Sequence, residues 1–208
     1  GYKITQTIQS PGDMGKTGAY VNDIDVNGKY VAASGLTDDG RSGSIVVWER
    51  VSGKVVSNFR FGGWVKNAPP IISTVRLLGD TGLVAGIDSA SASLVVFKID
   101  GDGNPIAVRK LKESVLGMAY SEEQSSVFIL HSEEPKGAGS RNELLSIDAS
   151  SGVTKWKMDV GRTERIAVSN TSDEIVGIEE DVITVYSMTD HLRRRQGKLP
   201  EFIDGNGG

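Results

Sequence analysis

The sequence predicts an all-β chain built from about four copies of one four-stranded antiparallel unit. Three observations carry that expectation. A short apolar strand, a polar turn and a second strand recur about every 40 to 50 residues. They fall at Ser44–Val56, Ser93–Val108, Glu143–Trp156 and, in degraded form, Val182–Met188. The 26 glycines lie mostly between short β-branched and aromatic runs, where they punctuate turns. No segment sustains a helical period of apolar residues.

The first unit is expected at Tyr20–Val26, Tyr30–Leu36, Ser44–Arg50 and Lys54–Phe61. Asn27-Gly28 is a strong hairpin signal, because both residues tolerate positive φ, and Ser52-Gly53 is expected to act likewise between the third and fourth strands. In Val21-Asn-Asp-Ile-Asp-Val26 the apolar residues alternate with one irregular step, as in a half-buried strand. Ser44-Ile-Val-Val-Trp48 is apolar at consecutive positions, as in a strand covered on both faces. The second unit is expected at Ile71–Leu78, Gly82–Ile87, Ser93–Ile99 and Pro105–Leu111. The third is expected at Ser114–Ser121, Ser126–His131, Glu143–Asp148 and Val153–Asp159. A fourth supplies Arg165–Ser169, Glu174–Ile178 and Val182–Ser187, after which the pattern stops. Asp190–Gln196 then reads as a short helix with Asp190 as its N-cap.

This divides the chain into an N-terminal strand and loop (1–19), the repeat (20–188) and a C-terminal tail or linker (189–208). Tyr2–Ile8 alternates like a strand and is expected either to close the fourth unit or to belong to a preceding one. With 208 residues, 38% hydrophobic and 24% charged, the chain has material for one large β domain. A net charge of −4 supplies no global basic field, so nucleic acid is not an expected partner. No cysteine is present, which excludes disulfides and thiolate metal sites. No apolar run reaches the length of a membrane-spanning helix.

Units of four strands that close on an aromatic in the third strand resemble the blades of a β-propeller. The strand ends Val-Val-Trp48-Glu and Val-Val-Phe97-Lys are similar to those of WD40 repeats. Ser146–Trp156, with Asp148, Gly152 and Trp156, resembles the quinoprotein-like repeat, although the chain holds no Trp-Asp dipeptide and no Gly-His pair. The resemblance spans residues 20–188 and implies a propeller or partial propeller, either a closed ring of four blades or one arc of a larger ring. It implies a non-catalytic protein-interaction scaffold, a subunit of a multiprotein complex whose protein partners complete the propeller, in the cytoplasm or nucleus. The alternative it implies is a quinoprotein-like propeller assisting membrane-protein assembly in the ER lumen or periplasm. An enzyme with a central-channel site is the third reading, and no cofactor fingerprint supports it.

The candidate chemistry is sparse. Ser10–Thr17 ends in Gly-Lys-Thr like a phosphate-binding loop, but it lacks the opening glycine, and a strand rather than a helix follows. Asp100-Gly-Asp102-Gly-Asn104 begins like a calcium loop, yet Pro105 and Leu111 stand where glycine and glutamate are required. It is expected to be a tight turn, as is Asp38–Gly43. His131 and His191 are far apart in sequence, and the acidic pairs of the chain read as solvated turns. Two segments are candidate partner-binding surfaces. One is the loop carrying Trp64, Lys66 and Asn67, where the Trp is an interface anchor or a channel plug. The other is the basic run Arg193, Arg194 and Arg195. The polar insertion Glu133–Asn142 is a further exposed surface, and Asn170-Thr171-Ser172 is a glycan acceptor in the secretory pathway.

Overall fold

The computed structural model describes residues 20–37, 42–61, 71–111, 115–133, 141–169 and 172–198. These residues form sixteen strands in four antiparallel sheets of four, with no helix among them. Sheet one holds β1 (Val21–Val26), β2 (Tyr30–Leu36), β3 (Gly43–Glu49) and β4 (Val55–Phe61). Sheet two holds β5 (Ile72–Leu77), β6 (Leu83–Asp88), β7 (Ser93–Lys98) and β8 (Pro105–Lys110). Sheet three holds β9 (Val115–Ser121), β10 (Ser126–Glu133), β11 (Arg141–Asp148) and β12 (Thr154–Asp159). Sheet four holds β13 (Arg165–Val168), β14 (Glu174–Glu179), β15 (Val182–Ser187) and β16 (Arg193–Lys198). Within each sheet the strands follow chain order, so every connection is a local hairpin.

The four sheets are copies in detail. In each, the pairing of the third strand with the fourth slips by one residue at the same place: Val47/Trp48, Val96/Phe97, Ser146/Ile147 and Val185/Tyr186. A bulge there re-aims the outer strand and raises its twist. The turn that follows is repeated in sheets one, three and four. In sheet one the Glu49 N–H donates to the Lys54 carbonyl, and Gly53 takes a φ of 68°. In sheet three the Asp148 N–H donates to the Val153 carbonyl, and Gly152 takes a φ of 70°. In sheet four the Ser187 N–H donates to the Leu192 carbonyl, and His191 occupies the glycine position with a φ of 58°.

That last turn corrects the reading of Asp190–Gln196 as a helix and of the fourth unit as three strands. Asp190 Oδ1 accepts the Leu192 N–H at 3.1 Å, so the aspartate closes a turn instead of opening a helix. The chain then returns as β16, paired with β15 from Lys198 to Arg193. The outer place in sheet four, which Tyr2–Ile8 was one candidate to fill, is therefore taken by β16. Asn27-Gly28 differs from expectation in mechanism. Neither residue adopts positive φ; instead Asn27 Oδ1 accepts the N–H groups of Lys29 and Tyr30. Other strand limits agree with the sequence reading to within a few residues, β10 running on to Glu133.

Alternation along each strand sends side chains to two faces, and successive sheets bury them against each other. Ile45, Val47 and Phe59 of sheet one pack with Val75, Leu77, Val95 and Phe97 of sheet two. The two phenylalanine rings stack with centroids 4.5 Å apart. Ile87, Leu94 and Val96 meet Val127, Ile129 and Ile147 at the second seam. Phe128, Leu130 and Leu144 meet Ile175 and Tyr186 at the third. The first strands run side by side as β1–β5–β9–β13, and no comparable packing joins β13 back to β1 among the described residues.

Candidate functional site

The first strands line a groove of about 600 Å³ to which all four sheets contribute. Beside it, Asn22, Asp23 and Asp25 of β1 and Asn27 in the turn that follows reach across to the backbone of β5 and of the turn after it. Asn22 Nδ2 donates to the Ile72 carbonyl at 2.9 Å, and Asn27 Nδ2 to the Gly79 carbonyl at 2.7 Å. The Val75 N–H donates to Asp23 at 3.0 Å, and the Leu77 N–H to Asp25 at 2.7 Å. Side chains here take the place of a backbone ladder between two sheets, satisfying donors that β5 would otherwise leave open.

Arg76 extends this stitching. Its guanidinium donates to Asp23 at 2.6 Å and, through Nε, to the Met118 carbonyl of β9 at 3.1 Å. Tyr120, further along β9, has its hydroxyl buried without a partner. Burial, and then the nearby Glu122 charge, push its pKa up. Asp23, Asp25 and Arg76 are thus committed to holding strands together, and no histidine lies among the groove's described lining residues. Asp23, Asp25 and Arg76 were not singled out from sequence. Alternate spacing places the two carboxylates on one face of the strand, but it does not say which neighbour that face meets.

The sequence-predicted candidates have mixed outcomes. Trp64, Lys66 and Asn67 lie outside the described residues, as do Asp38–Arg41, Ser10–Thr17 and the Asn170 acceptor. Arg193, Arg194 and Arg195 form the exposed start of β16, and the charges of Arg194 and Arg195 are met by carboxylates of the same blade. Arg194 pairs with Asp190 at 2.7 Å and with Asp173 at 3.9 Å, and Arg195 pairs with Glu174 at 3.3 Å. Arg193 donates to Gln196 at 3.1 Å. Asp173 is a hub: burial opposes its ionisation, but donation from Ser187 and Thr189 and the charge of Arg194 outweigh this and lower its pKa. Charged groups along an outer strand also discourage edge-to-edge pairing.

The two histidines are not brought together. His131 is buried with Nε2 3.3 Å from Glu143, whereas the His191 ring packs 4.4 Å from that of Trp156. Asp102 spends its carboxylate inside its turn, accepting the N–H and the side-chain amide of Asn104, each at 3.0 Å. Among the described residues no group of three metal-ligating side chains is assembled.

The repeat reveals a further pair of surfaces at its two ends. Val75 and Leu77 of β5 are 0% and 5% exposed where sheet one covers them. By register their counterparts in β1 are Ile24 and Val26, which are 61% and 58% exposed. At the other end, Ala85, Ile87, Leu94 and Val96 are buried by sheet three. Their counterparts in sheet four, Val176, Ile178 and Ile183, are only half-buried, with Val185 alone enclosed. On the outer part of the sheet-one face, Ala33, Val46 and Trp48 are buried in a small cluster. The open area there is therefore its inner half.

Comparison with solved structures identifies this geometry. A chain of the mitotic checkpoint complex superposes with a TM-score of 0.62 at 11% identity, covering 88% of this chain and 52% of that one. The C-terminal WD40 domain of Sif2 gives 0.59 at 10% identity, covering 86% and 46%. The fold is that of a β-propeller. Its four sheets are blades, and the groove lies on the side where the propeller axis runs. A putative 6-phosphogluconolactonase from Bacteroides uniformis also superposes, with a TM-score of 0.58 at 10% identity over 94% of this chain and 60% of that one. The chain spans about half the length of the first two structures. No family model matches it, and no curated protein sequence does.

Proposed function

We propose that this propeller is a non-catalytic protein-interaction scaffold, a subunit of a multiprotein assembly whose partner supplies further blades at its open ends. The observation that carries this reading is the contrast between buried Val75 and Leu77 and exposed Ile24 and Val26 at the same repeat positions. Interfaces of one kind are complete inside the chain and half-built at its ends, and apolar half-interfaces mark association surfaces. The half-length match to WD40-type propellers supports the same reading. A cytoplasmic or nuclear setting accords with a scaffold of this kind.

A second reading, a quinoprotein-like propeller of the ER lumen or periplasm, draws on the third blade. There Asp148 and Gly152 form the turn, and Trp156 packs at 5.6 Å on Phe128. A glycan on Asn170 in the native protein would favour it.

The test is affinity capture from native extract with the tagged chain and its Ile24→Asp and Ile178→Asp variants. The expected result is a stoichiometric partner with propeller blades, lost in one or both variants and retained in Lys98→Glu, which changes the exposed end of β7. Equal capture by all four proteins would overturn the assignment of the end faces. Each variant is first checked for a cooperative melt.

A further inference from the structure

Where the seam between blades two and three runs outward, its character changes. The inner part is sealed by Leu94, Val96 and Ala107 against Val127, Ile129 and Ile147. Two residues further along β10, on the same face as Ile129, stands His131. On β11 the corresponding step from Leu145 leads to Glu143. Here the blades part around a cavity of about 210 Å³. That is room for several water molecules at about 30 Å³ each.

The cavity wall is cationic. Arg109 comes from β8, Lys157 from β12, and His131 closes the inner end; Glu143 is the one carboxylate among the described lining residues. Glu143 is already matched, since Lys157 Nζ lies 2.9 Å from its Oε1 and His131 Nε2 lies 3.3 Å from its Oε2. Arg109 and Lys110 carry no ion pair among the described residues. Two polar atoms of the lining residues, His131 Nδ1 and Thr154 Oγ1, are buried with no hydrogen-bond partner. Buried polar groups are nearly always satisfied in a folded protein, so two orphans on one cavity call for an explanation. Leu111 and Leu145 complete the wall with apolar surface.

We propose that this cavity is a receptor site for a carboxylate on a short aliphatic stem, such as a glutamate side chain or a free dicarboxylate. The Arg109 guanidinium supplies the bidentate donor that carboxylates prefer. The Thr154 hydroxyl is a second donor, and the imidazole donates from Nδ1 in its protonated form, with Nε2 held on Glu143. Leu111 and Leu145 receive the methylene stem, a contact that inorganic phosphate does not make. The site lies between the second and third blades, apart from the end faces, so its fate is independent of theirs.

The chain has two histidines, which makes histidine-selective NMR a direct reporter. Glutarate, an acetylated and amidated glutamate peptide, and inorganic phosphate are titrated separately into the purified protein. The expected result is a saturable shift of the His131 ring signals with glutarate, the peptide or both, while those of His191 stay fixed. Arg109→Gln is expected to weaken binding about tenfold, the scale of one hydrogen bond to a charged group. Thr154→Val weakens it less and leaves the melting temperature unchanged or raised. Response to the peptide assigns the site to a partner's acidic side chain, and response to glutarate alone assigns it to a free acid. No His131 shift with either carboxylate at about 10 mM, a concentration that detects millimolar binding, overturns the proposal. So does equal binding by Arg109→Gln, or phosphate binding as tightly as glutarate.

Discussion

Blade two and the two end blades use the same side-chain positions under opposite conditions. Val75 and Leu77 are sealed beneath blade one, while Ile24 and Val26 hold the same places on β1 and are more than half exposed. Ile87 and Leu94 are sealed beneath blade three, while Ile178 and Ile183 hold the same places in blade four and are only partly covered. The chemistry of the positions hardly changes along the chain. What changes, among the described residues, is whether another sheet lies on top. The comparison therefore separates what a blade needs in order to fold from what it needs in order to associate.

If that separation holds, equivalent truncations should have unequal costs. Leu77→Ala should destabilise the protein by about 3 kcal/mol, in the range for emptying a packed core site. Val26→Ala should cost no more than about 0.5 kcal/mol, as for exposed sites. Denaturant unfolding of both variants measures the difference, and equal losses would break the comparison.

A smaller effect sharpens it from the polar side. Asp25 carries no apolar packing, yet it satisfies the Leu77 N–H across the seam between blades one and two. Asp25→Ala should cost about 2 kcal/mol, because it leaves a buried backbone donor without a partner. Hydrogen exchange should show the Leu77 amide losing protection before the rest of β5 does. A variant as stable as the wild type would mean that water replaces the carboxylate without penalty.

The smallest effect belongs to the hydrogen bonds inside a single outer turn of blade three. Asp148 accepts the Ser150 hydroxyl at 2.7 Å and the Ser151 N–H at 2.9 Å, and these bonds hold its carboxyl well below the usual carboxylate range. A depressed folded-state pKa stabilises the fold at pH values above the ordinary 3.8 of the unfolded chain. That contribution is lost as acid passes through the folded-state value. Asp148→Asn should therefore cost about 1 kcal/mol at neutral pH. The gap from wild type should narrow below about pH 4. Melting temperatures across pH 2 to 7, roughly the span of carboxylate titration, report it. A gap independent of pH would remove the charge from the explanation.

The fold was legible where turns and strands announce themselves locally. Ser44–Glu49 and Ser93–Lys98 align residue by residue, and Gly53 and Gly152 mark the left-handed position of a shared turn. The copy of that turn in blade four was hidden because His191 occupies the left-handed position, and a histidine carries no such signal. β16 was hidden for a related reason. Arg-Arg-Arg-Gln-Gly-Lys has no apolar alternation, and β15 pairing with ion pairs to Asp173, Glu174 and Asp190 makes it a strand. The end faces were not legible, since Ile24 and Ile178 look in sequence like any core residue. Only the placement of neighbouring sheets distinguishes them. The polar stitching by Asp23 and Asp25 likewise depends on β5 lying beside β1, which spacing within one strand does not reveal.

The most direct test of the account places a photo-crosslinking residue at Ile24, at Ile178 and, as control, at Asn104 in the outer turn of blade two, within the native full-length protein. The account predicts adducts to neighbouring propeller blades from positions 24 and 178 and none from 104. Absence of adducts from both end faces, or equal adducts from all three positions, would contradict it.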